Sequence, residues 1–134
     1  MTIENIKTIC SLGTGTIGSS LAVVFATAGY NVRMFGRSEE SIARGFNSIY
    51  ETLKTLEEYS LINSTQNREI ASRIQGVTTI EEAAAGADFV IEAVSEDLAV
   101  KQNVFSALDK TCPPHTIFAS STSGFSPSLI SSAI

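Results

Sequence analysis

Basic patches, long apolar runs and cysteine clusters are all missing from this sequence, and each absence narrows what it can be. Lys and Arg number 9 against 14 Asp and Glu, a net charge of -5, and the cations gather nowhere into a patch. Nucleic acid and anionic membrane surfaces are therefore not expected as partners. No apolar stretch approaches the roughly 20 residues that a bilayer-spanning helix needs. Leu21 to Ala28 ends in Ala26-Thr27-Ala28 and imitates a signal peptide. A single Lys7 beside Glu4 gives it no basic leader, and glycines interrupt its approach, so it reads as part of a fold. The two cysteines, Cys10 and Cys112, lie far apart in sequence and have no metal-ligand spacing. They are expected as reduced thiols of a cytoplasmic protein, with no metal site. Histidine occurs once, as His115 in the turn Pro113-Pro114-His115, and reads as a surface turn residue. Charged residues are only 17%, which speaks against long disorder. What is present, 134 residues of which 43% are apolar, suits one domain with a proper core.

The order of the apolar segments sets the fold class. Ile6 to Leu12 is β-branched, apolar and closed by a glycine, which predicts a strand. Thr16 to Ala28 predicts a helix, with Ile17, Leu21, Val24, Phe25 and Ala28 at helical spacing and Gly29 as its stop. Val32 to Phe35 is a second strand. Ser38, followed by Glu39 and Glu40, opens a longer helix whose stripe is Ile42, Phe46, Ile49, Leu53 and Leu56. A further helix is expected from about Thr65 to Ile74, with Ile70 and Ile74 facing inward. The pair forms a helical hairpin, longer than an ordinary crossover. Val77 to Thr79, Phe89 to Val94 and Thr116 to Ala119 are the remaining strands, separated by helices at Ile80 to Ala85 and Asp97 to Asp109. The second of these presents Leu98, Phe105 and Leu108 inward. Ser126-Pro127 has the form of an N-cap followed by proline at the first helical position. Strands alternating with helices predict a parallel, doubly wound sheet.

Gly13-Thr14-Gly15-Thr16-Ile17-Gly18 spells G-x-G-x-x-G between the first strand and the first helix, the context in which that pattern carries meaning. Gly13 permits a tight turn, Gly15 lets backbone approach a pyrophosphate, and Gly18 lets helix pack on strand. The N–H groups of Thr16 and Ile17 then face the phosphates, aided by the helix dipole. This predicts a Rossmann-type dinucleotide-binding domain over 1–134. NAD-specific domains usually carry Asp or Glu at the end of the second strand. Here Gly36 stands there, followed by Arg37 and Ser38. A missing carboxylate, with space at Gly36, a guanidinium and a hydroxyl, favours NADP over NAD. The competing reading makes Arg37 a solvated surface charge.

These residues resemble the 3-hydroxyacyl-CoA dehydrogenases, along essentially the whole chain and specifically their N-terminal NAD-binding domain, helical hairpin included. Four stretches carry the likeness: the loop from Gly13 to Gly18, Ala28-Gly29-Tyr30 with Arg37-Ser38-Glu39-Glu40, Val90 to Lys101 (VIEAVSEDLAVK), and Ile117 to Ser123 (IFASSTS). The resemblance implies a nicotinamide-dependent oxidoreductase of fatty acid metabolism. Its small-molecule substrate would be a secondary alcohol, with an acyl-CoA among the candidates. It implies that Glu96 and Lys101 contact cofactor, and that Ser123 bonds the reacting hydroxyl beside the nicotinamide. Read without it, Lys101 would pair with Asp97 at i, i+4, worth about 0.3 to 0.5 kcal/mol. Ser123 would be an ordinary loop residue. The sequence departs from the family pattern at Gly36, where Asp is common, at Ser121 for Asn, and at Gly124 for Ser. Thr52 and Tyr59 stand where acyl-CoA members offer Ser and Lys, with Lys54 the nearest alternative cation. The family's catalytic His and its Glu lie downstream of Ile134, and His115 belongs at the wrong end of the sheet to replace them. The chain alone is thus expected to bind the dinucleotide with little turnover. The parent would dimerise through a C-terminal helical domain. The alternative is a nucleotide-binding module without catalysis, as in a lens-protein relative.

Overall fold

The computed structural model of the chain describes residues 2–134, with five strands and six α-helices among them. The strands are β1 (Thr8–Leu12), β2 (Asn31–Phe35), β3 (Ile74–Val77), β4 (Phe89–Glu92) and β5 (Ile117–Ser120). They form one sheet in the order β3-β2-β1-β4-β5, and every neighbouring pair is parallel. The chain winds outward from β1 to β3, then crosses back to start again at β4. The order therefore reverses between β1 and β4, the place where open α/β sheets leave a crevice at their carboxyl edge.

Helices cover both faces: α1 (Thr16–Thr27), α2 (Glu39–Glu58), α3 (Ser64–Ser72), α4 (Ile80–Ala84), α5 (Leu98–Thr111) and α6 (Pro127–Ser131). Alternation along the strands divides the core in two. Val32, Met34 and Ile74 pack with Ala22, Val23 and Ala26 of α1, Ile49 and Leu53 of α2 and Ile70 of α3. On the other face Cys10, Leu12, Phe35, Val77 and Val90 pack with Ala83, Ala84 and Leu108. Local chemistry fixes the helix starts. The Ser38 hydroxyl accepts from Ser41 N, the Asn63 side chain from Gln66 N, the Asp97 carboxylate from Val100 N and the Ser126 hydroxyl from Leu129 N. Pro127 follows Ser126 at the first helical position, as expected. The helical hairpin is present, and α2 alone runs 20 residues, about 30 Å at 1.5 Å per residue.

Two expectations fail on burial and boundary. Along α1 the large apolar residues do not mark the inner face: Ile17 and Val24 are 55% and 60% exposed. The buried face is Gly18, Ser19, Ala22, Val23 and Ala26. This helix lies so close to the sheet and to α2 that small side chains fit where large ones would not. Ile74 is buried as expected, but as the first residue of β3 rather than the last of a helix. α3 ends at Ser72, and β3 spans Ile74–Val77, earlier than Val77 to Thr79.

His115 is an exposed turn residue at the amino edge of the sheet, and it has a partner that its position did not announce. Its Nε2 lies 3.1 Å from Asp88 Oδ1, while Asp88 Oδ2 accepts from Lys7 N at 2.9 Å and Thr8 N at 3.0 Å. The backbone bonds from Thr8 and then Lys7, with His115 behind them, hold the Asp88 carboxyl below its ordinary range. A carboxyl lowered on folding stabilises the native state above its unfolded pKa and loses that contribution as pH falls through the folded value. Stability should therefore drop as pH is taken below about 4, and Asp88→Asn should flatten part of that dependence in urea unfolding curves. Both cysteines are free, and burial pushes the Cys10 thiol up to about 12, which makes it inert. Among the described residues no helix is long and apolar enough to cross a membrane.

Candidate functional site

The loop after β1 is built by close approach. Gly13 has φ +127°, and a Cβ there would meet Ala93 O, beyond the end of β4, at 2.5 Å. Its N–H donates to Phe35 O, which binds the loop to β2. A Cβ on Gly18 would lie 2.1 Å from Gly13 O. Beneath them Ser11, fully buried, donates to Gly18 O at 3.0 Å and draws the first turn of α1 onto β1. Gly15 is different: a Cβ there would meet nothing within 4 Å. It is the N-cap of α1 and supplies no side-chain bond to the helix start. The exposed N–H groups of Thr16 and Ile17 thus lie at the positive end of a 12-residue helix, beside open space. That arrangement is suited to an anion.

The second loop, after β2, departs from expectation. Gly36 leaves no vacancy on its side-chain side, since a Cβ would meet Ser41 Oγ at 2.6 Å, Thr14 Cγ2 at 2.8 Å and Ile42 Cδ1 at 3.0 Å. The space expected from the lack of a side chain is filled by the start of α2. Arg37 and Ser38 follow on the surface. Ser38 serves α2 as its cap, yet a hydroxyl that accepts one bond still has a proton to donate.

At the ends of β4 and β5 a charged cluster joins three elements. Lys101 is 1% exposed, and its Nζ sits 2.8 Å from Glu92 Oε1 and 3.2 Å from Glu96 Oε2. The expected alternative, an Asp97–Lys101 pair, is absent: Asp97 caps α5 instead. Glu96, half exposed, also accepts from the Thr122 hydroxyl. That bond first, and Lys101 behind it, holds the Glu96 carboxyl below its usual range. Thr122 Oγ1 accepts in turn from Gly124 N and Phe125 N, which shapes the loop carrying Ser123. Ser123 is exposed, and a Cβ on Gly124 would approach Glu96 Oε1 to 3.0 Å.

The parallel sheet therefore gathers Gly13 to Gly18, Gly36 to Ser38, Glu96 and Ser123 at one edge, and leaves His115 at the other. A profile of the 3-hydroxyacyl-CoA dehydrogenase NAD-binding domain matches residues 8–134. The chain belongs to that family. It is 40% identical over 118 residues to a probable 3-hydroxybutyryl-CoA dehydrogenase of Bacillus subtilis, covering 88% of this chain and 41% of the relative. A human lambda-crystallin homolog is 36% identical over 118 residues, 87% of this chain and 37% of that protein. The crystal structure of a 3-hydroxybutyryl-CoA dehydrogenase from Escherichia coli superimposes with a TM-score of 0.92 at 34% identity, over 97% of this chain and 27% of the other. The chain thus spans less than half the length of these relatives. As an NAD-binding domain of this family it takes a nicotinamide dinucleotide, and the unobstructed start of α1 fits the pyrophosphate.

Two site residues escaped the sequence reading. In the sequence Glu92 reads as part of an apolar strand, although a lone carboxylate inside such a strand is itself a signal of a buried partner. Thr122 had no signal beyond its place in a serine-rich run. Of the candidate acyl-CoA contacts, Thr52 lines a cleft of about 340 Å³ between α1 and α2, with Thr16 and Ser19 among its other walls. Tyr59 lies at the hairpin tip, 76% exposed, and Lys54 pairs loosely with Glu58 at 3.8 Å.

Proposed function

We propose that this domain holds a nicotinamide dinucleotide for an enzyme that interconverts a secondary alcohol and a ketone on a 3-hydroxyacyl substrate. The observation that carries the reading is the uncapped start of α1 at Gly15, open above and set at the sheet's reversal point. The cofactor supplies hydride acceptance and donation at its nicotinamide ring. The chain's residues do the rest of what can happen here. Thr16 and Ile17 N–H groups bind the diphosphate, Glu96 contacts the nicotinamide half, and Ser123 donates to the substrate oxygen. Lys101, at 1% exposure, acts through Glu96 rather than by reaching the cofactor itself. His115, at the opposite edge, is no candidate for proton transfer, so that role falls to a group outside these residues. An acyl-CoA substrate, with Thr52 in the cleft beside α1, belongs to this reading. So do a parent homodimer formed through a further helical domain and a cytoplasmic setting in keeping with two free thiols.

Gly15→Val tests it: a Cβ at Gly15 meets nothing within 4 Å, so a side chain there grows into the open space at the start of α1. The urea midpoint should stay near wild type while NADH affinity, read by its fluorescence, falls about a hundredfold, the scale of two lost hydrogen bonds to a charged group. Unchanged affinity would overturn the phosphate site.

We also read NADP as preferred over NAD, because no acidic side chain ends β2 and Arg37 stands exposed beside Ser38. Arg37→Ala should weaken NADPH by roughly tenfold, the scale of one charge-assisted bond, and leave NADH almost unchanged. Equal losses for both, or tighter NADH binding to wild type, would end that preference. A lambda-crystallin homolog among the relatives keeps a non-catalytic binding module as the second reading. In that case the full-length parent would bind NADH and show no dehydrogenase turnover.

A further inference from the structure

Glu92 is the largest unexplained commitment in the fold: a carboxylate with 0% exposure at the last position of a central strand. Both its oxygens have partners. Oε1 accepts from Lys101 Nζ at 2.8 Å and from Val94 N at 2.7 Å, and Oε2 accepts from Ser120 Oγ at 2.5 Å. Replacing such a pair by apolar residues is often neutral or better for stability, so stability alone does not account for it. Its partners do. Lys101 reaches on to Glu96, and Ser120 Oγ accepts from Thr122 N at 3.1 Å. Thr122 and Glu96 then bond each other, closing a ring that runs Glu92, Lys101, Glu96, Thr122, Ser120 and back.

We propose that Glu92 is a positioning residue, the buried anchor that sets the Glu96 loop and the Ser123 loop at a fixed distance from each other across the crevice. The inference rests on the reading that Glu96 and Ser123 face the nicotinamide half of a bound dinucleotide. Glu92 never touches the ligand. It holds the Lys101 ammonium from one oxygen and the Ser120 hydroxyl from the other. The loop after β4 and the loop after β5 therefore cannot shift independently. Neither loop has regular structure of its own to do this, since Glu96 precedes α5 and Ser123 follows β5.

The test uses the 134-residue chain and the double variant Glu92→Gln with Lys101→Met, which removes both charges at similar volume and so avoids a stranded ion. Three quantities are measured: the urea midpoint, NADH affinity by fluorescence, and amide exchange at Gly124 and Phe125, whose N–H groups bond Thr122. The expected result is a near-native midpoint with NADH affinity about tenfold weaker and exchange at both amides about tenfold faster. Affinity and exchange both within about twofold of wild type would overturn the proposal. Should the double variant fail to fold, Ser120→Ala carries the same question from β5 and leaves the ion pair intact. It should speed exchange at Thr122 N and weaken NADH, and no change in either overturns the coupling. A wild-type chain that binds no NADH would instead sink the cofactor reading, and the exchange rates would still decide whether Glu92 ties the loops.

Discussion

Gly13→Ala should be among the most damaging single methyls that can be added to this chain, because it meets both a strained backbone and a backbone clash. Two costs fall on it together. At φ +127° an L side chain is strained, by about 1 to 3 kcal/mol. The new Cβ would also press on Ala93 O at 2.5 Å, and that atom is backbone whose own N–H is bonded to Leu12 O. It cannot swing aside as a side chain would. Overpacking of this kind costs about 1 to 3 kcal/mol, so the sum is roughly 2 to 6 kcal/mol against a typical total of 5 to 15. The urea midpoint should fall steeply with little change in slope. A midpoint within experimental error of wild type would mean that β1 and β4 do not close on each other as described.

Lys101→Met comes second. Methionine fills the place of the lysine stem, so packing survives and the charge alone is lost. Glu92 then keeps Val94 N and Ser120 Oγ but has no cation, at a site water does not reach. Removing one partner of a buried pair costs about 3 to 5 kcal/mol at neutral pH. Urea unfolding curves at pH 7 read the loss. A loss below about 1 kcal/mol, the value of an exposed pair, would show that the cluster is solvated.

The fold class could be read from the order of segments, and the phosphate loop from three glycines in the right place between strand and helix. Both depend on local rules. What escaped depended on neighbours far along the chain. The apolar spacing of α1 picked out Ile17 and Val24, but the sheet and α2 crowd the opposite side so closely that Ser19 and Ala22 are the residues they bury. Ile74 stands four residues after Ile70 and fits a helical period. The same residue fits a strand, and pairing with Val32 settled it. Gly36 looked like room because it lacks a side chain, yet the room was taken by Thr14, Ser41 and Ile42. Glu92 hid in an apolar run because its lysine is nine residues away and meets it only when α5 folds back along the sheet.

The Asp88 knot has a practical side. Five strands pointing one way give the molecule a working rim and a holding rim, and Asp88 fastens the holding rim by gripping Lys7, Thr8 and His115 together. A cysteine placed at the exposed Pro114, next to His115, would give a linker a thiol at that end. The opposite rim would then face solution unhindered, which suits a tethered biosensor whose signal is nucleotide arriving and leaving.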